Sequence, residues 1–118
     1  MSSGSRISID RDTNGILDKV QVLFSFTLTS VYTNYLIESI ASSALTITMP
    51  DNTVMPYTTP KSFLVSRATA SKVLFAAMAG VTILGGITEI ADTATTTGGM
   101  VSITHSGVNE FYINGKEV

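Results

Sequence analysis

The residues of this chain whose types and spacing best suit chemistry are oxygen-bearing side chains near its N-terminus. Asp10, Asp12, Asn14 and Asp18 follow one another at short intervals, and Gly15 lies among them. Carboxylate and amide oxygens are ligands that Ca²⁺ prefers, and glycine permits the sharp bend that lets alternate positions converge on one ion. A calcium site formed by these four side chains is therefore one hypothesis that the sequence supports.

This segment resembles the calcium-loop pattern D-x-[DN]-x-[DN]-G over these few residues only. Its twelfth position is Gln21, where that pattern places a bidentate Glu, and Arg11 stands among the ligands. Residues 6–10 alternate like a strand, whereas a calcium loop follows a helix. A polar hairpin turn at Asn14-Gly15 is the favoured interpretation, because Asn-Gly readily accepts positive φ. We therefore assign no metal ligand, and calcium binding stays the alternative.

His105 is the only histidine and the next candidate for chemistry. Catalysis by histidine requires a nucleophile or an orienting carboxylate beside it. Val101, Ile103 and His105 alternate with Ser102 and Thr104, which predicts an ordinary sheet residue. The acidic residues are scattered, so no carboxylate pair of a glycosidase is indicated. We predict no catalytic residue, no cofactor and no enzymatic activity.

Two further patterns have weaker chemical interpretations. The glycines within residues 80–86 lack the Lys and Ser/Thr of a phosphate-binding loop, so we reject that function. Tyr32 and Tyr35 could stack on a sugar or a base, but aromatic residues spaced this way more often belong to a core or an interface.

The composition indicates a neutral, hydroxyl-coated protein. Only 14% of the 118 residues are charged, against roughly 25% in a typical soluble protein, while Ser and Thr together number 31. The net charge of −2 and the lack of a basic cluster argue against nucleic-acid binding. The absence of Cys excludes disulfides and thiolate metal sites, and residues 1–6 lack the order of a signal peptide. Two explanations fit a surface so poor in charge: much of it faces other subunits, or the abundant hydroxyl groups keep it hydrated.

Alternating apolar and polar residues predict strands over 6–10, 20–29, 45–49, 62–66, 101–105 and 110–113. In the second of these, Val20, Val22, Phe24, Phe26 and Leu28 are expected to share one face. Pro56 and Pro60 exclude a central strand over residues 54–60, because proline cannot donate to the ladder. Asn114-Gly115 predicts a second tight hairpin.

Two short helices are also predicted. Tyr32, Leu36 and Ile40 recur at i+4 and favour a helix over 31–43, with an extended strand as the competitor. A second helix is expected over 70–79, with Thr69 or Ser71 as its N-cap and Gly80 as its left-handed stop. The uncharged residues 73–88 are interrupted by glycine and shorter than the roughly 20 residues of a bilayer span. They predict a buried hinge between that helix and a strand.

These elements predict a mainly β fold, either an antiparallel sandwich or a jelly-roll-like barrel with one or two short helices. Residues 1–5 are expected to form a flexible arm, and residues 6–118 a single β-rich domain. Residues 111–116 are similar to the terminal hairpins of jelly-roll and lectin-like sandwiches.

The whole chain resembles small virion structural proteins of tailed phages, of the capsid decoration, cement or fibre-base type. The resemblance lies in the hydroxyl- and glycine-rich residues 87–97 and 101–106, the turn at 50–53, the polar arm, and the absence of Cys and Trp. It implies a bacteriophage structural protein without chemistry of its own. It also implies a homo-oligomer, with a trimer favoured, that binds capsid or other virion proteins. The expected location is the virion, after synthesis in the host cytoplasm, with no nucleic-acid or membrane partner.

Two alternatives to a capsid decoration or cement protein stay open. One is a carbohydrate- or calcium-dependent binding module of adhesion type. The other is a membrane-active protein that inserts residues 73–87.

Overall fold

The computed structural model describes residues 6–10, 18–69, 71–90 and 98–116. These residues form eleven strands and, at Ser30–Tyr32, a single turn of 3₁₀ helix. The strands are β1 (Arg6–Asp10), β2 (Asp18–Val22), β3 (Phe26–Thr27), β4 (Tyr35–Ser39), β5 (Leu45–Met49), β6 (Lys61–Arg67), β7 (Val73–Ala77), β8 (Thr82–Leu84), β9 (Glu89–Ile90), β10 (Gly98–Gly107) and β11 (Glu110–Lys116).

The strands form a large sheet of order β1-β2-β4-β6-β10-β11-β8 and a small sheet of order β3-β5-β7-β9. The chain passes from the large sheet to the small one four times, from β2 to β3, from β4 to β5, from β6 to β7 and from β8 to β9. Over the first three passages it runs in the same direction each time, so β2, β4 and β6 are parallel neighbours, as are β3, β5 and β7. The predicted mainly β fold is confirmed, as two sheets packed on one core.

The predicted antiparallel arrangement is correct for only part of each sheet. Antiparallel pairing joins β1 to β2, β6 to β10, β10 to β11 and β7 to β9. The other five pairs are parallel, including β8 with β11. The reason is the winding of the chain between the sheets, because a strand that returns by crossing the other sheet lies parallel to its predecessor.

The core lies between the two sheets and is built by alternation. In β5, for example, Leu45, Ile47 and Met49 are buried while Thr46 and Thr48 are half-buried on the opposite side. Phe63 of β6 and Phe111 of β11 are the largest fully buried side chains. The buried hydrophobic residues form one cluster with members in both sheets: Val20, Val22, Leu28, Tyr32, Ile37, Ala41, Leu45, Ile47, Met49, Met55, Phe63, Val65, Val73, Phe75, Ile87, Ile90, Val101, Ile103, Phe111 and Ile113.

The helix predicted over residues 31–43 is wrong. The helical turn ends at Tyr32, and Asn34 adopts φ 62°, which a helix cannot contain. The competing interpretation is correct, because β4 (Tyr35–Ser39) lies in the large sheet between β2 and β6. There, Ile37 and Ser39 are buried, while Leu36 and Glu38 are half-buried. Burial thus alternates with the period of two that is typical of a strand, although the apolar residues recur at i+4 in the sequence.

The helix predicted over residues 70–79 is also wrong, because β7 (Val73–Ala77) lies there between β5 and β9. Thr69 does not cap a helix; its hydroxyl donates to the carbonyl of Ala41 at 2.7 Å. Helix propensity was overridden by two partner strands distant in sequence. Gly80 does adopt positive φ, 84°, but in a turn between strands.

Residues 73–88 therefore do not connect a helix to a strand. They form β7, the turn at Gly80 and β8, and they contribute Val73, Phe75 and Ile87 to the core. Within the part of the chain that the structure describes, no helix has the length and apolar character that crossing a bilayer requires.

The strand predicted over residues 20–29 is interrupted. The chain leaves the large sheet after Val22 and enters the small sheet at Phe26, so residues 23–25 form a corner between the sheets. Phe24 is consequently exposed instead of sharing a buried face with Val20 and Val22. The other predicted strands are confirmed, whereas the hairpin at Asn114-Gly115 is not, because β11 continues to Lys116.

Candidate functional site

The outer face of the large sheet is a broad surface on which hydroxyl-bearing and apolar side chains predominate among the described residues. Burial alternates along its strands, so the side chains that turn away from the core can be identified from their exposure. In β2, β4, β6, β8, β10 and β11 they are Lys19, Gln21, Leu36, Glu38, Ser62, Leu64, Ser66, Thr82, Leu84, Met100, Ser102, Thr104, Tyr112 and Asn114.

The register of the strands arranges these side chains in rows across the outer face. One row runs from Leu36 through Leu64 and Ser102 to Asn114. The Ser102 hydroxyl donates to the carbonyl of Asn114 at 3.3 Å. A neighbouring row runs from Ser62 through Thr104 and Tyr112 to Leu84. The centre of the outer face is thus a band of hydroxyl groups between apolar side chains.

Among the side chains of the outer face that the structure describes, charge is carried by Lys19 on β2, Glu38 on β4 and Glu110 on β11, and each has a polar partner. Lys19 Nζ lies 3.6 Å from Glu38 Oε1, and Gln21 Nε2 donates to the same oxygen at 2.9 Å. On β11, Glu110 Oε1 accepts a hydrogen bond from the Ser106 hydroxyl at 3.1 Å. Lys19 lies beside Leu36 at the end of the first row, so the two rows are free of charge from β6 to β11. A neutral partner surface could approach that part of the outer face without desolvating an ion.

His105 lies on the opposite side of the large sheet, with only 1% of its surface exposed. Its ring stacks on Phe111 with centroids 4.6 Å apart and meets the edge of Tyr57 at 5.2 Å. Burial lowers the pKa of His105 and the positive charge of Lys61 lowers it further, while the backbone of Gly107 acts in the opposite direction. Its predicted role as a sheet residue is consistent with this packing.

The geometry around His105 does not assemble a reaction centre. Its Nδ1 is buried without a hydrogen-bond partner among the described residues. Across the same part of the chain, no three His, Asp or Glu side chains lie together as a metal site, and no pocket opens. The contacts of His105 with Tyr57 and Phe111 instead pack the loop at residues 50–60 onto β10 and β11.

The candidate calcium residues are only partly placed. Asp10 ends β1 and Asp18 begins β2, and these strands pair antiparallel with Asp10 opposite Lys19. Asp12 and Asn14 lie outside the described residues, so the ligand set stays a hypothesis. Gln21, at the twelfth position of the pattern, donates its side-chain amide to Glu38.

The two tyrosines and the glycines have structural positions. Tyr32 is buried and packs against Phe26 with ring centroids 5.0 Å apart, and half-buried Tyr35 packs on the core. Neither forms an exposed stacking platform. Gly85 and Gly86, each at positive φ, turn the chain after β8.

Sequence reasoning missed two features of the structure that lie outside the outer face. It placed Phe24 in a strand face, although Leu23 interrupted the alternation and was a sign of the corner. It also did not find that the loop at 50–60 is anchored on the hairpin turn between β10 and β11. There, Asn52 N–H donates to Asn109 Oδ1 at 2.7 Å, and Tyr57 N–H donates to Asn52 Oδ1 at 2.9 Å.

Comparison with known proteins identifies no relative of this chain. No family model matches the chain, and no curated protein or solved structure does. The function is therefore argued from the residues and the fold.

Proposed function

We propose that this protein is a non-enzymatic structural protein of a virus particle, of the capsid decoration or cement type, which binds the shell and stabilises it as a homo-oligomer. The observation that carries the proposal is the neutral, hydroxyl-rich outer face of the large sheet. The resemblance to small virion proteins of tailed phages agrees with it.

The dimensions of the outer face suit a docking surface. Seven strands spaced about 4.8 Å apart have six intervals between them, which together span about 29 Å. Five of these strands have five to seven residues, β8 has three and β10 has ten. At about 3.3 Å per residue the face is roughly 20 Å deep. The product is roughly 600 Å², of the same order as the ~800 Å² that one partner contributes to a standard protein interface.

The chemistry of the outer face suits a partner that is itself a folded surface. Half-exposed leucines and Tyr112 supply apolar contact, and the hydroxyls of Ser102 and Thr104 can pair with backbone or side-chain groups of the shell. Because the two rows carry no charge from β6 to β11, binding through that part of the outer face would depend little on salt, unlike attachment to nucleic acid.

The first test is whether the chain is part of the particle. Virus particles purified by density from a culture that expresses the chain should contain it in a fixed ratio to the major shell protein, measured by quantitative mass spectrometry. Absence of the chain from such particles would overturn the proposal.

The second test asks whether the outer face makes the contact. Thr104→Lys places a charge at its centre, and Ala76→Lys places one on the small sheet, in β7; both side chains are half-buried. We expect Thr104→Lys to reduce co-sedimentation with shells at least tenfold and Ala76→Lys to leave it unchanged. Far-UV circular dichroism should show both variants folded. Equal binding by the two variants would contradict the assignment of the outer face.

A further inference from the structure

The first passage of the chain between the sheets leaves apolar side chains exposed. Leu23 and Phe24, in the corner after β2, are 37% and 61% exposed, and Val31, in the turn after β3, is 53% exposed. Phe24 shares the highest exposure among the large hydrophobic residues that the structure describes. Residues 23–31, with β3 at their centre, are called the open edge here.

The strand β3 ends the small sheet, and no other described strand covers its outer side. In the large sheet the corresponding position is protected, because β1 pairs with the outer side of β2. Leu28 N–H donates to the carbonyl of Thr48 at 2.9 Å, which directs Leu28 towards β5. Successive residues of a strand point their backbone groups in opposite directions, so Thr27 directs its N–H and C=O away from the sheet.

The open edge lacks two of the devices that prevent edge-to-edge association, which are charged side chains and proline. Its protection against association is limited to the shortness of β3, which has two residues. The chain from residue 20 to residue 37 contains no charged residue and no proline. Two identical copies can therefore approach along this edge without repulsion between like charges.

The apolar residues of the open edge flank β3 on both sides. Leu23 and Phe24 lie in the corner before it, and Val31 lies in the 3₁₀ turn Ser30–Tyr32 after it. When two copies of β3 pair antiparallel about a twofold axis at Thr27, the corner of each copy comes to the same end as the turn of the other. The same patch on both copies then makes the contact, as an isologous interface requires.

We propose that the open edge is a site of self-association, at which β3 pairs antiparallel with β3 of a second copy and joins the two small sheets into one eight-stranded sheet. This strand addition uses backbone hydrogen bonds at Thr27 and the apolar cover of Leu23, Phe24 and Val31. It specifies the oligomer within the proposed function and rests on that function for its purpose. A closed twofold contact gives a dimer, in place of the trimer that the resemblance implies.

The contact is small, because β3 has two residues and the apolar cover three side chains. It therefore belongs with weak and transient interfaces rather than with the larger obligate ones. Sedimentation velocity of the purified chain should show an average mass near the 12.5 kDa of the monomer when dilute, rising towards twice that value as the concentration is raised. A single monomeric species at all concentrations would overturn the proposal.

A matched pair of substitutions locates the contact. Phe24→Lys and Val108→Lys each replace a hydrophobic residue with 61% exposure, one on the open edge and one in the turn between β10 and β11. We expect Phe24→Lys to weaken self-association at least tenfold and Val108→Lys to leave it unchanged. Equal association by the two variants would contradict the proposal.

A second pair of variants gives a positive signal and does not depend on the folding of Phe24→Lys. The chain has no cysteine, so an introduced thiol can form a disulfide only with the same thiol of a second molecule. Residues facing each other across an antiparallel pair have Cα atoms about 4.5–5.5 Å apart, within disulfide range. Under mild oxidation, Thr27→Cys should form a covalent dimer much faster than Val108→Cys. Equal rates would overturn the pairing.

These outcomes are separable from those of the proposed function. A chain that dimerises through Thr27 but is absent from virus particles overturns only the virion role. A chain that is present in particles but stays monomeric when purified overturns only the pairing of the open edge.

Discussion

Replacing Gly85 by alanine should destabilise this fold far more than replacing its neighbour Gly86. Gly85 follows β8 with φ 103°, and a Cβ built there would overlap the carbonyl oxygen of Ile113 and lie 2.9 Å from its carbonyl carbon. Gly86 has φ 79°, but a Cβ there would meet nothing within 4 Å. The two substitutions thus share a backbone penalty and differ in the steric clash.

The magnitude follows from these two contributions. A left-handed backbone costs an alanine roughly 1–2 kcal/mol at either position. At Gly85 the obstacle is the backbone of β11, which cannot retreat because Ile113 faces Ile103 of β10 in the large sheet. Forcing extra volume into a packed site costs typically about 1–3 kcal/mol more. We therefore expect a loss of about 2–5 kcal/mol for Gly85→Ala and about 1–2 kcal/mol for Gly86→Ala.

Urea unfolding followed by circular dichroism measures both losses on the same scale. A loss of 1 kcal/mol corresponds to a melting-temperature shift of about 4 °C in a domain of this size. Gly85→Ala should therefore melt at least about 8 °C below the parent protein. If the two variants lose the same stability, the close approach of Gly85 to β11 is not as described.

Two other expectations concern His105 and the anchored loop. Burial lowers the pKa of His105 in the folded protein below its usual 6.5, so His105 of the unfolded chain binds a proton first as the pH falls. The free energy of unfolding that this neutral side chain contributes is therefore complete above about pH 6.5 and decreases below it. Urea unfolding at about pH 7.5 and about pH 5.5 should therefore show a larger loss for the parent than for His105→Phe, and parallel losses would contradict this. Asn109 adopts φ 54°, and its side-chain oxygen accepts a hydrogen bond from Asn52 N–H. Both Asn109→Ala and Asn109→Gly remove this hydrogen bond, but glycine adopts positive φ without strain. Asn109→Ala should therefore lower the melting temperature more than Asn109→Gly. Equal melting temperatures would show that the φ of Asn109 costs alanine nothing.

The candidate site could be anticipated only in its chemistry. Composition indicated a neutral, hydroxyl-rich surface, and alternation indicated that His105 is a strand residue packed in a sheet. The outer face itself depends on register, because Ser62, Ser102 and Thr104 become neighbours only when β6 and β10 pair. The exposure of Phe24 depended on where the chain crosses between the sheets.

What the sequence determined by itself is local. The strands over residues 45–49, 62–66 and 101–105 were identified because side chains of a strand alternate whatever its partners are. Pro56 and Pro60 kept residues 54–60 out of the sheets for an equally local reason, since proline has no N–H to donate.

What only the tertiary structure decided is the choice between states that are close in local free energy. Residues 73–77 could form a helix or a strand, and the strands β5 and β9 selected the strand by completing its hydrogen bonds. In the same way, β2 and β6 selected the strand at β4. The parallel direction of β2, β4 and β6, and of β3, β5 and β7, was also decided by the tertiary structure. Propensity differs by a fraction of a kcal/mol per residue, roughly 0.7 at most for ordinary residues. Burial of a Val or Phe side chain contributes about 1.5–3 kcal/mol, so partners that are distant in sequence outweigh local preference.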